Sequence, residues 1–391
     1  MKQRTLLFLS AGHLFTDFNQ GALPAILPFL ISERGLSYTA AAGLVFASTF
    51  ASSIVQPLFG HLADRFAKPW LMPLGVLLAG LGIALTGITD DYWLLFAAVT
   101  VSGIGVAAFH PEGARLANRV SGEKKGAGVS IFSVGGSAGF ALGPLVTTGV
   151  LLLWGLKGTV VLIIPIAVTA IALVRELKKL DHYQSGKPKP AADPSAVRPA
   201  DEWGPFSRLT VVVFCRSAIL YALNTFIPLF WIYNLGQSKA AGGTALTILF
   251  TLGAVGTLIG GRLGDRFGYP RTIRVGFCLL IPVMFAFTAA ADVALATLLL
   301  LPLGFALFAP MSPMIVLGQK YLPNRMGLAS GVTLGLAVSV GGITTPVLGW
   351  LADHYGLAQA LTVVAYIPII AALTAFTLPT AGSDARQSAK A

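Results

Sequence analysis

Apolar residues run along this chain in long blocks, not in the short alternating or half-apolar stripes of a soluble fold. Twelve blocks approach the roughly 20 residues that a membrane-crossing helix needs. They cover 5–31, 38–62, 69–89, 92–114, 126–153, 158–177, 207–234, 241–263, 270–291, 293–319, 327–352 and 358–379. The pattern predicts twelve transmembrane helices, and it lacks the alternating ten-residue segments of a membrane barrel. The first block follows Lys2 and Arg4; it is long and has no small-residue cleavage site, so it reads as a retained helix. One stretch breaks the pattern, "KKLDHYQSGKPKPAADPSAVRPADEWGP" from Lys178 to Pro205. Its Pro, Ala and charge read as a linker. Six blocks precede it and six follow. The expected organisation is an N-terminal bundle over 1–180, a linker over 181–205, a C-terminal bundle over 206–380 and a loose polar tail over 381–391.

Composition agrees, with 55% hydrophobic and 11% charged residues where soluble domains carry roughly a quarter charged. Charge then orients the chain. With the N-terminus in the cytoplasm, cytoplasmic segments hold most of the 27 Lys and Arg, among them Arg65, Lys68, Arg115, Arg119, Lys124, Lys125, Arg262, Arg266, Arg271, Arg274, Lys320 and Arg325. The opposite side holds only Arg34, Lys157 and Lys239. That asymmetry places both termini in the cytoplasm. It also accounts for the net charge of +11 without nucleic acid, since no basic cluster is interleaved with aromatics. The two cysteines, Cys215 and Cys278, fall inside predicted helices as packing residues, with no metal-ligand spacing. No cofactor and no metal are expected. The chain carries no GxxxxGK[ST] loop for a nucleotide motor, and no HExxH or GxSxG for an intramembrane enzyme.

The halves repeat. "GHLADRF" from Gly60 matches "GRLGDRF" from Gly261, an offset of 201 residues (261 − 60). "GVAAFHP" from Gly105 matches "GFALFAP" from Gly304, an offset of 199 (304 − 105), and Pro144 matches Pro346, an offset of 202 (346 − 144). Six helices per copy makes the repeat parallel, with its axis along the membrane normal.

Twelve spans in two sixes, a long central linker and two "GxLxDRF" loops resemble the major facilitator superfamily over nearly the whole chain. "GHLFTD" (12–17), "KPWLMPLG" (68–75), "FHPEGARLA" (109–117) and "SIFSVGGSAGFALGPL" (130–145) look closest to its fosmidomycin-resistance drug exporters. The resemblance implies an all-α membrane protein with two pseudo-symmetric six-helix bundles around a central cavity. It further implies a monomer in the bacterial inner membrane that exports a small molecule by proton-coupled alternating access. The alternative within transport is a symporter importing a sugar, organic acid or siderophore; an enzyme or a scaffold is more remote. "GGSAGFALGP" (135–144) resembles the helix 5 motif that the family associates with antiport. The chain departs from the pattern at Ala67, where the family has Gly, and at Thr100, where helix 4 usually has Arg. By resemblance, Asp64 and Arg65, with Asp265 and Arg266, form a conformational latch at the cytoplasmic edge.

Ionisable residues inside the blocks are the candidate site, because each is costly in lipid unless paired, hydrated or titrating. In helix 1, His13, Asp17, Gln20 and Pro24 fall at i, i+4, i+7 and i+11 and share a face. Asp17 lies about 18 Å along that helix, near mid-membrane, and is the first candidate for a proton site. In helix 4, Pro111 removes a backbone hydrogen bond, His110 sits beside it, and Glu112 points to another face. His110 suits proton relay or anion binding. Glu112 is either a further proton site or the partner of Arg115, three residues on. Arg216 in helix 7 needs a counter-charge from Asp17, Glu112 or an anionic substrate, and Tyr221, Asn224 and Phe226 follow on the same helix. The expected proton-coupling residues are therefore Asp17, His110 and Glu112. The expected substrate contacts are His13, Asp17, Gln20, His110, Arg216, Tyr221, Asn224 and Phe226. Gly135, Gly139 and Gly143, ended by Pro144, give the small-xxx-small spacing of a packing and gating seam.

Overall fold

The computed structural model describes residues 3–66, 69–121, 125–182 and 200–379. Twelve helical segments follow the twelve apolar blocks. They are α1 (Gln3–Arg34), α2 (Tyr38–Phe66), α3 (Leu71–Leu85), α4 (Tyr92–Val120), α5 (Lys125–Trp154), α6 (Ile163–His182), α7 (Trp203–Leu229), α8 (Lys239–Phe267), α9 (Tyr269–Thr288), α10 (Val293–Tyr321), α11 (Leu328–Tyr355) and α12 (Leu357–Phe376). A tight 3₁₀ stretch, Leu156–Leu162, leads into α6. Wide π turns close α7 at Phe230–Asn234 and open the body of α11 at Gly331–Leu336. Among the described residues, ten spans are long and apolar enough to cross a membrane on those grounds alone. The other two helices have physical reasons for falling short. α1 carries His13, Thr16, Asp17, Asn19 and Gln20 through its middle. α3 has only 15 residues, roughly 22 Å of helix.

Two six-helix halves result. Their tightest internal seam is α1 against α5. The backbone of Ser10, Leu14 and Phe18 lies where Cβ atoms on Gly135, Gly139 and Gly143 would be, so the small-residue spacing read in the sequence is a helix crossing without side chains between. The second half repeats the device, with Gly341 of α11 closed on Ser217 and Tyr221 of α7. Its own core gathers Phe226, Phe230, Trp231, Phe277 and Phe287.

The halves are tied together at the end that carries the α1–α2 and α7–α8 connections. Asp353, near the end of α11, accepts from the backbone N–H groups of Tyr38 and Thr39 at 2.8 and 2.9 Å and from the Thr39 hydroxyl at 2.5 Å. Lys239 at the start of α8 donates to Ser32 at 2.7 Å, lies 3.6 Å from Glu33 and sits over the Phe29 ring. Thr345 donates to the Ala42 carbonyl, and Phe140 meets Phe250 halfway along the α5–α8 crossing. At the other end Glu202, just before α7, donates its N–H to the Tyr321 carbonyl, and Asp201 pairs with Arg325, so the chain leaving the linker is pinned within the second half.

Candidate proton and substrate site

The α1–α5 seam and the α1–α4 contact bring together three ionisable side chains. Asp17 Oδ2 lies 3.2 Å from His13 Nε2, and Asp17 Oδ1 lies 3.0 Å from His110 Nε2. Gln20 donates to the same Oδ1 at 3.3 Å. The i, i+4 spacing sets the first contact; tertiary packing alone sets the second. His13 is fixed by Phe132, whose ring stacks on it at 4.2 Å between centroids. The His110 ring meets His13 edge-on at 5.1 Å. Exposure grades across the group: the side chains of Asp17, His13 and His110 are 7%, 12% and 22% accessible. His110 is thus the member that water reaches most readily.

The hydrogen-bond accounting of this cluster constrains its protons. His13 Nδ1 lies 2.8 Å from the Phe132 carbonyl, and His110 Nδ1 lies 2.9 Å from the Val106 carbonyl. A carbonyl oxygen only accepts, so both Nδ1 atoms carry hydrogen. A neutral ring then presents a bare lone pair at Nε2, and an ionised carboxylate offers only lone pairs in return. Each Nε2–Oδ contact therefore needs a proton of its own, whether it resides on the imidazole or on the carboxyl. The compact cluster holds two such contacts, so it is complete only when it carries two protons beyond neutral histidines and ionised Asp17. Removing them takes the group from a net charge of about +1 to about −1 and leaves lone pairs facing one another.

Gly136 makes the cluster possible and was not singled out by its sequence. A Cβ there would lie 2.5 Å from Asp17 Oδ2 and 2.6 Å from His13 Nε2. The signal available was the doubled glycine at 135–136, one more small residue than the seam itself uses.

Next to the cluster, between the halves, lies a cavity of about 20 Å³ lined by Gln20, Leu23, Pro24, Val45, Ser48, Thr49, Phe140, Tyr221 and Asn224. That is room for about one water, in the arrangement where the Asp353 end is closed. Tyr221 shares this cavity with Gln20, whose amide bonds Asp17, and comes from α7, the helix that carries Arg216. Arg216 is 8% exposed. Its Nε donates to the Leu307 carbonyl at 2.9 Å, its guanidinium lies over the Phe308 ring, and a buried terminal NH₂ has no hydrogen-bond partner among the described residues. Neither Asp17 nor Glu112 supplies the expected counter-charge.

The remaining candidates separate. Glu112 is buried on another face of α4 and is held by both nitrogens of an Arg115 fork, the within-helix pair that its spacing allowed. Asn224 lines the cavity and its Oδ1 has no hydrogen-bond partner among the described residues. Phe226 points into the core of the second half. In the second loop copy, Asp265 accepts from the Tyr269 hydroxyl at 2.8 Å and Arg266 lies over Phe267. The side chains of Asp64 and Arg65, the first copy, lie outside the described residues.

Two membrane-spanning bundles, tied at one end and enclosing polar groups where they meet, are the build of a membrane transporter. The chain belongs to the Major Facilitator Superfamily, whose family model matches residues 9–346. It is 29% identical to the fosmidomycin resistance protein of Escherichia coli (strain K12), over 94% of this chain and 91% of that one. It is 30% identical to the uncharacterized MFS-type transporter YfnC of Bacillus subtilis (strain 168), over 96% of this chain and 92% of that one. Its fold matches the crystal structure of a bacterial homolog of the human lysosomal transporter Spinster, in an inward-facing and occupied conformation. The TM-score is 0.81 at 16% identity, covering 96% of each chain. The protein is a multi-pass membrane transporter and not an enzyme.

Proposed function

We propose that the protein exports a small molecule in exchange for protons, by alternating access, as a monomer in the bacterial inner membrane with both termini cytoplasmic. The observation that carries this reading is the His13–Asp17–His110 cluster. It sits against the contact between the halves, and its two imidazole–carboxylate contacts each require a proton. With the linker end in the cytoplasm, the end closed by Asp353 and Lys239 faces outward. His110, the most accessible member, then takes up and gives back protons from whichever side is open. One unit charge crossing 100 mV supplies about 2.3 kcal/mol, enough for uphill export at one proton per cycle. Glu112, engaged with Arg115, takes the lesser part. The substrate reading is a small anionic drug of the fosmidomycin kind: the likeness to the fosmidomycin resistance protein and the unneutralised Arg216 both support it.

Proteoliposomes with an imposed pH gradient test the reading. Asp17→Asn should abolish uphill export of a phosphonate while leaving the protein folded and still able to bind it. Uphill export at the wild-type rate in Asp17→Asn would remove the cluster from the mechanism. Accumulation in the direction opposite to export would favour the symporter.

A further inference from the structure

A groove of about 530 Å³ lies on the lipid-facing side of the second half, far from the cluster. It is lined by Arg271, Arg274, Val275, Cys278, Leu279 and Pro282 of α9 and by Phe376 of α12. The α9 residues fall at i, i+3, i+4, i+7, i+8 and i+11, one continuous face of the helix. That face is ordered. Both arginines lie in the first turns of α9, at the linker end, and everything deeper is apolar or a thiol. From Arg271 to Pro282 the stripe runs roughly 16 Å, about the hydrocarbon depth of one leaflet. Val275, Leu279 and Phe376 are exposed along it.

Among the described residues no carboxylate pairs with the charge at the mouth. Arg274 spends Nε and one NH₂ on the carbonyls of Ala375 and Leu378 at the end of α12, at 3.0 and 2.6 Å, and packs its guanidinium near the Phe376 ring. Those carbonyls fix its position and leave it fully cationic. Arg208 of α7 joins it at the Thr377 carbonyl. Among the described residues neither Arg271 nor Arg274 forms an ion pair with a carboxylate, and Asp201 is paired with Arg325. Two guanidinium groups at the membrane interface, above an open apolar channel one leaflet deep, match one ligand in both charge and shape.

We propose that this groove is a binding site for an anionic phospholipid, with Arg271 and Arg274 holding the phosphate and the Val275–Pro282 face of α9 holding the upper part of an acyl chain. Phosphate geometry favours the planar guanidinium fork, and basic pockets beside transmembrane helices take anionic headgroups. The lipid would bridge the start of α9 to the end of α12, two helix ends that Arg274 already joins. This site does not depend on what the protein transports.

Cys278 reports on the groove, because it lines the wall and is exposed. The test uses full-length Cys215→Ala protein in neutral detergent and follows the rate of maleimide labelling at Cys278. Added phosphatidylglycerol should slow labelling several-fold, whereas phosphatidylcholine at the same mole fraction should not. Arg271→Gln should need about five times more phosphatidylglycerol for the same protection, the loss expected for one arginine at an anionic surface, and Arg271→Lys should recover part of it. Equal protection by the two lipids, or full protection retained in Arg271→Gln, would overturn the proposal. Equal protection by soluble glycerophosphate would reduce the site to an anion site without a lipid and overturn it too. Slow labelling without added lipid, relieved by deleting 380–391, would assign the groove to the chain's own tail instead.

Discussion

Gly136 has no side chain, and Asp17 and His13 occupy the space one would fill. A methyl group at 2.5 Å from a carboxylate oxygen cannot be accommodated by a small rotation, because Asp17 is held on its other side by His110 and Gln20. Gly136→Ala should therefore keep the fold and lose proton-driven transport, measured as uphill export in proteoliposomes alongside the melting temperature. Gly149→Ala on the same helix, where a Cβ would meet nothing within 4 Å, should leave transport unchanged; equal loss in both would mean that α5 tolerates no added methyl at all. The sequence disclosed the α1 part of this cluster, since i, i+4 and i+7 spacing puts His13, Asp17 and Gln20 on one face. It did not disclose that His110 reaches Asp17. That contact depends on the rotation of α4 about its axis, and Pro111 and Glu112 are equally compatible with other rotations. The sequence already favoured His110 for the cavity and left Glu112 between a proton site and a pair with Arg115; in space Glu112 is engaged by Arg115.

Helix ends supply several of the ties at the closed face. The first turn of α2 has N–H groups with no partner inside the helix. Ser37 takes one, from Ala40, at 3.1 Å. Asp353 takes two more, from Tyr38 and Thr39, across the boundary between the halves. A carboxylate at a helix N-terminus also gains from the helix dipole, and Asp353 can do so only while the halves are together at this end. Asp353→Ala should weaken closure by about 1 kcal/mol, roughly a fivefold shift in a two-state population. Spin labels near the α1–α2 and α7–α8 connections should report more of the opened distance at that end, and an unchanged distribution would discard the cap as a gate. The chain pattern gave no hint of this role, because a lone Asp at the end of an apolar block reads as a loop charge. The α1–α5 seam, by contrast, was legible, since glycines four apart announce a close crossing whatever the partner helix.

Across the molecule, the division into two matched halves was readable from the linker and from three repeats at nearly one offset. What the halves do not share was only half readable. Ala309 stands where the first half has His110, so the titratable cluster belongs to the first half alone, and the second contributes a fixed cation. Arg216 was expected to need a counter-charge from Asp17, Glu112 or an anionic substrate; among the described residues it rests on a carbonyl and a ring, with one NH₂ unsatisfied. A permanent bridge between the halves would have paired it, since a buried charge without a counter-ion is costly. The unpaired state is the one expected of a group whose partner comes and goes. Arg216→Gln should then weaken binding of a phosphonate by more than tenfold and leave a neutral compound bound as before, as read by titration calorimetry on purified protein. Because the replacement removes an uncompensated charge, the melting temperature without substrate should stay level or rise. A fall in melting temperature together with equal loss of both compounds would show instead that Arg216 holds the second half together.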